Sequence, residues 1–221
     1  MATFKTLSKE GVNIVEIEMQ NEIIRVEAGA MRYYLGDIEM ESTSTGGVGG
    51  FFKAALSGET FFKPTYKGTG KLVLEPSMHN FFELELNNEE YILDQGAFWA
   101  AEDSIEISAH RNEAIMSMFS GEGWFQTSAK GTGTVIVRAP GPVEIIDMKD
   151  DKLVVDGSFA VARSSTLNYS VAKSTKSILG SMTSGEGIVN TIQGTGRVYI
   201  APLPNYSLML QDMMRSLRPS K

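Results

Sequence analysis

The chain has 221 residues, 42% hydrophobic and 21% charged, with a formal net charge of −7 and a pI near 5.0. That composition supports a buried core and excludes long disorder, and the acidic balance counts against a phosphate-binding face, which needs clustered Lys and Arg. The chain has no cysteine, which removes disulfides, thiolate metal sites and cysteine nucleophiles. It also has no apolar run of about 18 residues to cross a membrane as a helix. With no secretion signal at Met1–Thr6, a cytoplasmic protein is expected.

Taken in chain order, the segments read as strands. Asn13–Met19 alternates apolar and polar residues, the period-2 pattern of a strand with one wet face. Ser42–Gly50 is loop by composition, and Gly50–Leu56 is a short apolar stretch without alternation. Lys71–Glu75 reads as a strand, and Phe82–Leu86 alternates again. Asn87–Glu90 reads as a hairpin turn, Ser104–Ser108 as a strand, and Glu113–Phe119 as a second apolar, non-alternating stretch. Thr134–Arg138 is a β-branched strand. Val143–Met148 and Lys152–Val155 then flank Lys149-Asp150-Asp151, read as a hairpin turn. Ser177–Met182 is the third apolar stretch. The tail 206–221 places Leu208, Met209, Leu210, Met213, Met214 and Leu217 at helical spacing, predicting one short helix.

Three markers recur in the same order. Gly-Thr-Gly begins at Gly68, Gly131 and Gly194, 63 residues apart each time. Ser-Gly-Glu precedes it and ends at Glu59, Glu122 and Glu186. A looser marker runs through Gly29-Ala30-Met31, Gly96-Ala97-Phe98 and Gly157-Ser158-Phe159. Repeats on this scale specify an architecture of stacked equivalent units. The expected fold is all-β: three tandem pseudo-symmetric β-sandwich units plus a short C-terminal helix. The expected boundaries are 1–76, 77–140 and 141–203, with the helical tail at 204–221. In Gly-Thr-Gly the glycines are expected to supply positive φ or a bulge where a strand bends.

Catalytic chemistry finds little footing. His79 and His110 lack any metal-ligand spacing. Gly68-Thr69-Gly70-Lys71-Leu72 has neither the upstream glycine nor the Ser/Thr after lysine that a phosphate loop requires, and it leads into a strand rather than a helix. Glu59, Glu122 and Glu186 form a symmetric acid set that could line a cation site; the competing reading is that each caps nearby backbone amides in its turn. No catalytic, cofactor or metal residue is assigned. The aromatic residues, including Tyr33, Tyr34, Phe98 and Trp99, are expected to pack in the core. The expected contact surface is Phe51, Phe52, Met116, Met118, Met209 and Met213, apolar side chains in the non-alternating stretches and the tail.

The Gly-Ala-Met near position 30, Gly-Gly before Phe51-Phe52-Lys53, Ser-Gly-Glu-Thr-Phe-Phe at 57–62, the three Gly-Thr-Gly triplets and Val155-Asp156-Gly157 together resemble the altered-inheritance-of-mitochondria protein 24 family, over about residues 10 to 202. The resemblance implies compact β-units packed side by side, with a fold similar to the tryptophan RNA-binding attenuation protein, and assembly of chains into trimers or rings. Mitochondrial members of the family are associated with inner-membrane organisation. The family offers no catalytic residue to carry over. The expectation is therefore a non-catalytic, homo-oligomeric scaffold or interaction protein without cofactor, contacting a protein partner or a membrane surface. The alternative is a small-ligand or nucleic-acid binding module. The acidic charge, and Thr134 standing where Lys71 and Arg197 stand in the other units, disfavour nucleic acid.

Overall fold

The computed structural model describes residues 2–41, 63–110, 126–156, 159–173 and 188–206. Twelve strands are present among these residues: β1 (Thr3–Lys9), β2 (Val12–Val26), β3 (Met31–Glu41), β4 (Thr65–Leu74), β5 (Asn80–Leu93), β6 (Phe98–Glu102), β7 (Ile105–His110), β8 (Gln126–Ala139), β9 (Glu144–Asp156), β10 (Ala160–Ser164), β11 (Asn168–Lys173) and β12 (Ile188–Ile200). The described residues are all-β, and the strand pairs of established register are antiparallel. The predicted C-terminal helix lies outside the described residues beyond Tyr206.

Packing divides the chain into two compact units, Met1–Arg138 and Ala139–Lys221. In the first, the strand order is β5-β8-β6-β2-β4-β3, with β1 also on β2 and β7 also on β8. In the second, β12 is flanked by β9, β10 and β11. The core of the first unit includes Val15, Ile17, Met19, Ile24, Val26, Leu72, Leu74 and Ile136. That of the second holds Met148, Val155, Ala160, Leu167, Ile192 and Val198.

One local arrangement occurs three times. Each Gly-Thr-Gly triplet lies within a strand (β4, β8 or β12), and that strand runs beside a long strand (β2, β5 or β9). Opposite the triplet, the long strand carries one residue with left-handed backbone: Asn21 (φ 61°), Asn88 (φ 54°) or Asp150 (φ 51°). The backbone N–H of each donates to the triplet threonine: Asn21 to Thr69 Oγ1 at 2.9 Å, Asn88 to Thr132 Oγ1 at 2.9 Å, and Asp150 to Thr195 Oγ1 at 3.0 Å. These are β-bulges, and Asn and Asp tolerate the left-handed conformation better than other non-glycine residues.

The bulge explains the burial pattern. In β2 the buried positions are Val15, Ile17 and Met19, then Ile24 and Val26, so the parity changes across Asn21. Strand β9 switches likewise from Met148 to Val155, whereas β5 has Leu84 and Leu86 buried before the bulge and Tyr91, Ile92 and Leu93 all buried after it. A strand presents alternate residues to one face, so without the extra residue Ile24 and Val26 would point outward. Each buried aliphatic of that size is worth about 1.5–3 kcal/mol, which is ample to hold one residue in a left-handed conformation.

The sequence expectation of hairpin turns at Asn87–Glu90 and Lys149–Asp151 is corrected here. Both segments lie inside single continuous strands, β5 and β9. Turn-type residues stand there because a bulge, like a turn, needs positive φ. The positive φ expected of the triplet glycines is observed; Gly68 and Gly70 have φ of 141° and 151°. A Cβ on Gly68 would stand 2.0 Å from the Asp37 carbonyl oxygen, and one on Gly70 2.1 Å from that of Leu35, so β3 and β4 approach too closely for any side chain.

Candidate interaction surface

The residues expected to carry function, Glu59, Glu122 and Glu186 as an acid set and Phe51, Phe52, Met116, Met118, Met209 and Met213 as a contact surface, lie outside the described residues. Among the described residues no group of three or more His, Asp or Glu is placed to hold a metal ion, and no helix is long and apolar enough to cross a membrane.

The positions equivalent across Gly-Thr-Gly share one role. Lys71 Nζ lies 3.4 Å from Glu16 Oε2 and 3.3 Å from Glu18 Oε1. Thr134 Oγ1 donates to Glu85 Oε1 at 3.0 Å, and Arg197 Nε donates to Asp147 Oδ1 at 2.7 Å. Hydrogen bonds to Glu18 and Glu16 raise the Lys71 ammonium above the ordinary lysine value, and the bond to Asp147 raises Arg197 likewise. Both cations face neighbouring-strand carboxylates, which is cross-strand pairing of the kind that stabilises sheets.

A polar cluster joins β8 to the Gly96 turn. The Arg138 guanidinium lies 4.6 Å from the Trp99 ring centroid and donates to the Gly96 carbonyl from Nε (3.2 Å) and Nη2 (2.9 Å). Phe81 packs against Trp99, with ring centroids 5.5 Å apart. Lys63 pairs with Glu27, and its Nζ lies 5.2 Å from the Phe98 ring centroid. Burial pulls Lys63 below the ordinary lysine value, with Glu27 acting the other way. Burial likewise lowers Arg138, opposed by Glu27 and Glu75, and lowers His79, helped by the positive charge of Arg138. Cation-over-ring contacts of this kind hold secondary elements together. The sequence offered no signal for this cluster, because its members span 27 to 138 and share no motif.

The described feature that departs most from an ordinary protein surface is β3. It forms the end of the strand order in its unit and, among the described residues, pairs on one side only, with β4. Every residue from Met31 to Glu41 is exposed except Ile38. The exposed set includes Met31, Tyr33, Tyr34, Leu35 (63%) and Met40. Tyr33 and Tyr34 thus depart from the expectation of core packing, whereas Phe98 and Trp99 are buried. Position explains the difference: among the described residues, β6 has β8 on one side and β2 on the other, while β3 has β4 alone. Edge strands usually carry charge that blocks further pairing, as Lys5 and Lys9 do on β1. On β3 the acids Asp37, Glu39 and Glu41 fill the second half, while residues 31–35 carry one cation, Arg32, among Met, Tyr and Leu.

Comparison with known proteins agrees with this architecture. A crystal structure of a Streptococcus pyogenes protein, a structural genomics target, superposes with a TM-score of 0.74 at 26% identity, covering 98% of this chain and all of that one. An uncharacterised protein of Streptococcus pyogenes serotype M6 is 28% identical over 202 residues, which is 86% of this chain and 81% of its relative. The sequence profile described as "Mitochondrial biogenesis AIM24" matches residues 4–203, and the chain therefore belongs to that family.

Proposed function

We propose that this protein is a non-catalytic scaffold or interaction protein that works by presenting the open edge of β3 to a protein partner. The observation that carries the reading is a strand of eleven residues, paired on one side, whose first half exposes Met31, Tyr33, Tyr34 and Leu35. Isolated exposed apolar residues are ordinary, but a contiguous group on an unpaired strand edge is a ready template for strand addition. Residues repeated in every unit, such as the triplet and its bulge, serve the fold. Among the edge strands of the first unit, β3 exposes Met31, Tyr33, Tyr34 and Leu35 together, and that is where a specific role can reside. This reading keeps the expected role of an apolar contact surface and assigns it to β3, since the apolar loops expected to carry it lie outside the described residues. We take the compartment to be the cytoplasm, which suits a cysteine-free acidic chain.

A photo-crosslinking amino acid placed at Leu35 tests the proposal, with the same group at Met78, an 84% exposed residue away from the edge, as control. A discrete protein adduct from position 35 and none from position 78 is the expected result. Equal adducts from both positions, or none from position 35, would remove β3 as the contact surface.

A further inference from the structure

We infer that the partner of β3 is an extended, basic polypeptide segment that adds antiparallel to it as one more strand, with Lys or Arg at alternate positions opposite Asp37, Glu39 and Glu41 and apolar residues opposite Leu35 and Tyr33. The inference rests on the reading of β3 as a contact edge and states the chemistry of what that edge takes.

A strand presents alternate residues to one face. Tyr33, Leu35, Asp37, Glu39 and Glu41 therefore line one face of β3, all of them exposed. That face is apolar at one end and acidic at the other. The fold does not impose the three acids, because register on the neighbouring strand identifies their equivalents in the other repeats. Glu39 faces Lys67 of β4, Glu106 of β7 faces Lys130 of β8, and Asn168 of β11 faces Gln193 of β12, each beside its Gly-Thr-Gly. Glu41, Ser108 and Ser170 correspond in the same way, facing Thr65, Ser128 and Thr191. Two residues before these glutamate and asparagine positions, Asp37 corresponds to Ser104 and Thr166. Among the described residues β7 and β11 also pair on one side only, so an edge at this place forms with one acid or with none.

Among the described residues none of the three acids stands in an ion pair. Of the lysines beside them on β4, Lys71 is held by Glu16 and Glu18, while Lys67, opposite Glu39, offsets one charge of the three. Along a strand Asp37 and Glu41 stand about 13 Å apart, too far for the three carboxylates to converge on one ion whose oxygen ligands must lie about 2.3–2.6 Å from it. An added strand has the same repeat as β3, so its alternate side chains meet these positions one for one. Opposite charges facing across antiparallel strands stabilise pairing, and like charges oppose it. The acids thereby turn away acidic segments while the apolar half still attracts, which gives the edge a preference among strands. Ile38, buried on the other face between Asp37 and Glu39, favours an apolar residue opposite it. Antiparallel addition continues the pairing that β3 already makes with β4 and is slightly the more stable per residue.

Fluorescence anisotropy of labelled peptides titrated with the full chain tests the inference. The matching peptide is Lys-Thr-Lys-Val-Lys-Thr-Val-Thr-Val. One control replaces its lysines with glutamate, and a second, Lys-Lys-Lys-Thr-Thr-Thr-Val-Val-Val, keeps the composition without the alternation. The matching peptide is expected to bind about tenfold or more tightly than the acidic control, since each of three pairs changes from attraction to repulsion, and more tightly than the second control. Each cross-strand charge pair is worth about 1.5- to 5-fold in affinity. Asp37→Asn, Glu39→Gln and Glu41→Gln together, all at exposed positions and checked for folding by near-UV circular dichroism, are therefore expected to weaken binding by about threefold or more and to remove most of its salt dependence. No binding of the matching peptide, equal binding of all three peptides, or an affinity unchanged in the triple variant would overturn the inference. The crosslink at position 35 separates this failure from that of the parent reading. An adduct whose crosslinked segment lacks alternating basic residues, a second copy of this chain included, leaves β3 a contact edge and overturns only its preference for a basic strand.

Discussion

Gly70→Ala tests the bulge-and-triplet geometry at its tightest point. Gly70 has φ of +151°, and an added Cβ would stand 2.1 Å from the Leu35 carbonyl oxygen and 3.0 Å from the Gly36 Cα, both backbone atoms of β3. Two costs combine: holding alanine in a region disfavoured for any side chain, about 1–3 kcal/mol, and forcing two paired strands apart, about 1–3 kcal/mol as overpacking. The expected loss is about 2–6 kcal/mol, a large part of the roughly 5–15 kcal/mol that holds a domain folded. Gly29→Ala, in the same unit, is the control. Its φ is +81° and nothing lies within 4 Å of an added Cβ, so only the left-handed backbone cost of about 1–2 kcal/mol applies. Urea denaturation of both variants, followed by near-UV circular dichroism, reads the difference. Equal midpoints for the two variants would refute the argument that close approach of β3 and β4 is what demands glycine.

Thr132→Val removes the hydroxyl that accepts the Asn88 N–H and should cost about 0.5–1.5 kcal/mol in denaturant titrations, with Thr132→Ser restoring most of it; an unchanged valine variant would dismiss the threonine's bridging role. His79 has its proton affinity lowered by burial and then by Arg138. The folded state therefore binds its proton less readily than the unfolded state, so stability is fully present above the unfolded value near 6.5 and is lost as pH falls through the window below it. Thermal midpoints of His79→Gln should fall less between pH 7 and pH 5 than those of the wild type, and parallel curves would contradict the assignment. In the Lys63–Glu27 pair, Glu27→Gln leaves a largely buried ammonium without its carboxylate, whereas Lys63→Met leaves a more exposed carboxylate. The first variant should be the less stable in urea, and the reverse order would show that the pair is not held by the lysine's burial.

The fold was largely legible in the residues because backbone geometry restricts them. Only glycine fits at positions 68 and 70, where strands close to van der Waals limits and φ is positive, so the triplet stands out at every repeat. The bulges were harder to read. Asn88 and Asp150 are the residues a hairpin turn would use, and only the strand that continues unbroken through each of them, β5 and β9, separates a bulge from a turn. Edge status was not legible at all. Tyr33 and Tyr34 look like core aromatics, and what exposes them is the lack of a second neighbouring strand, a property of topology rather than of local pattern. The Arg138–Trp99 contact was invisible for a related reason: it joins residues 39 positions apart, from β6 and β8, whose neighbourhood arises only when the strands pair.

The most direct test of β3 as a contact edge is amide hydrogen exchange at residues 31–35, read for the purified chain and for the complex recovered by the Leu35 crosslink. An open edge predicts outward-facing amides that exchange fast in the purified chain and gain protection in the complex. Protection in the purified chain equal to that of β4, or no gain in the complex, would contradict it.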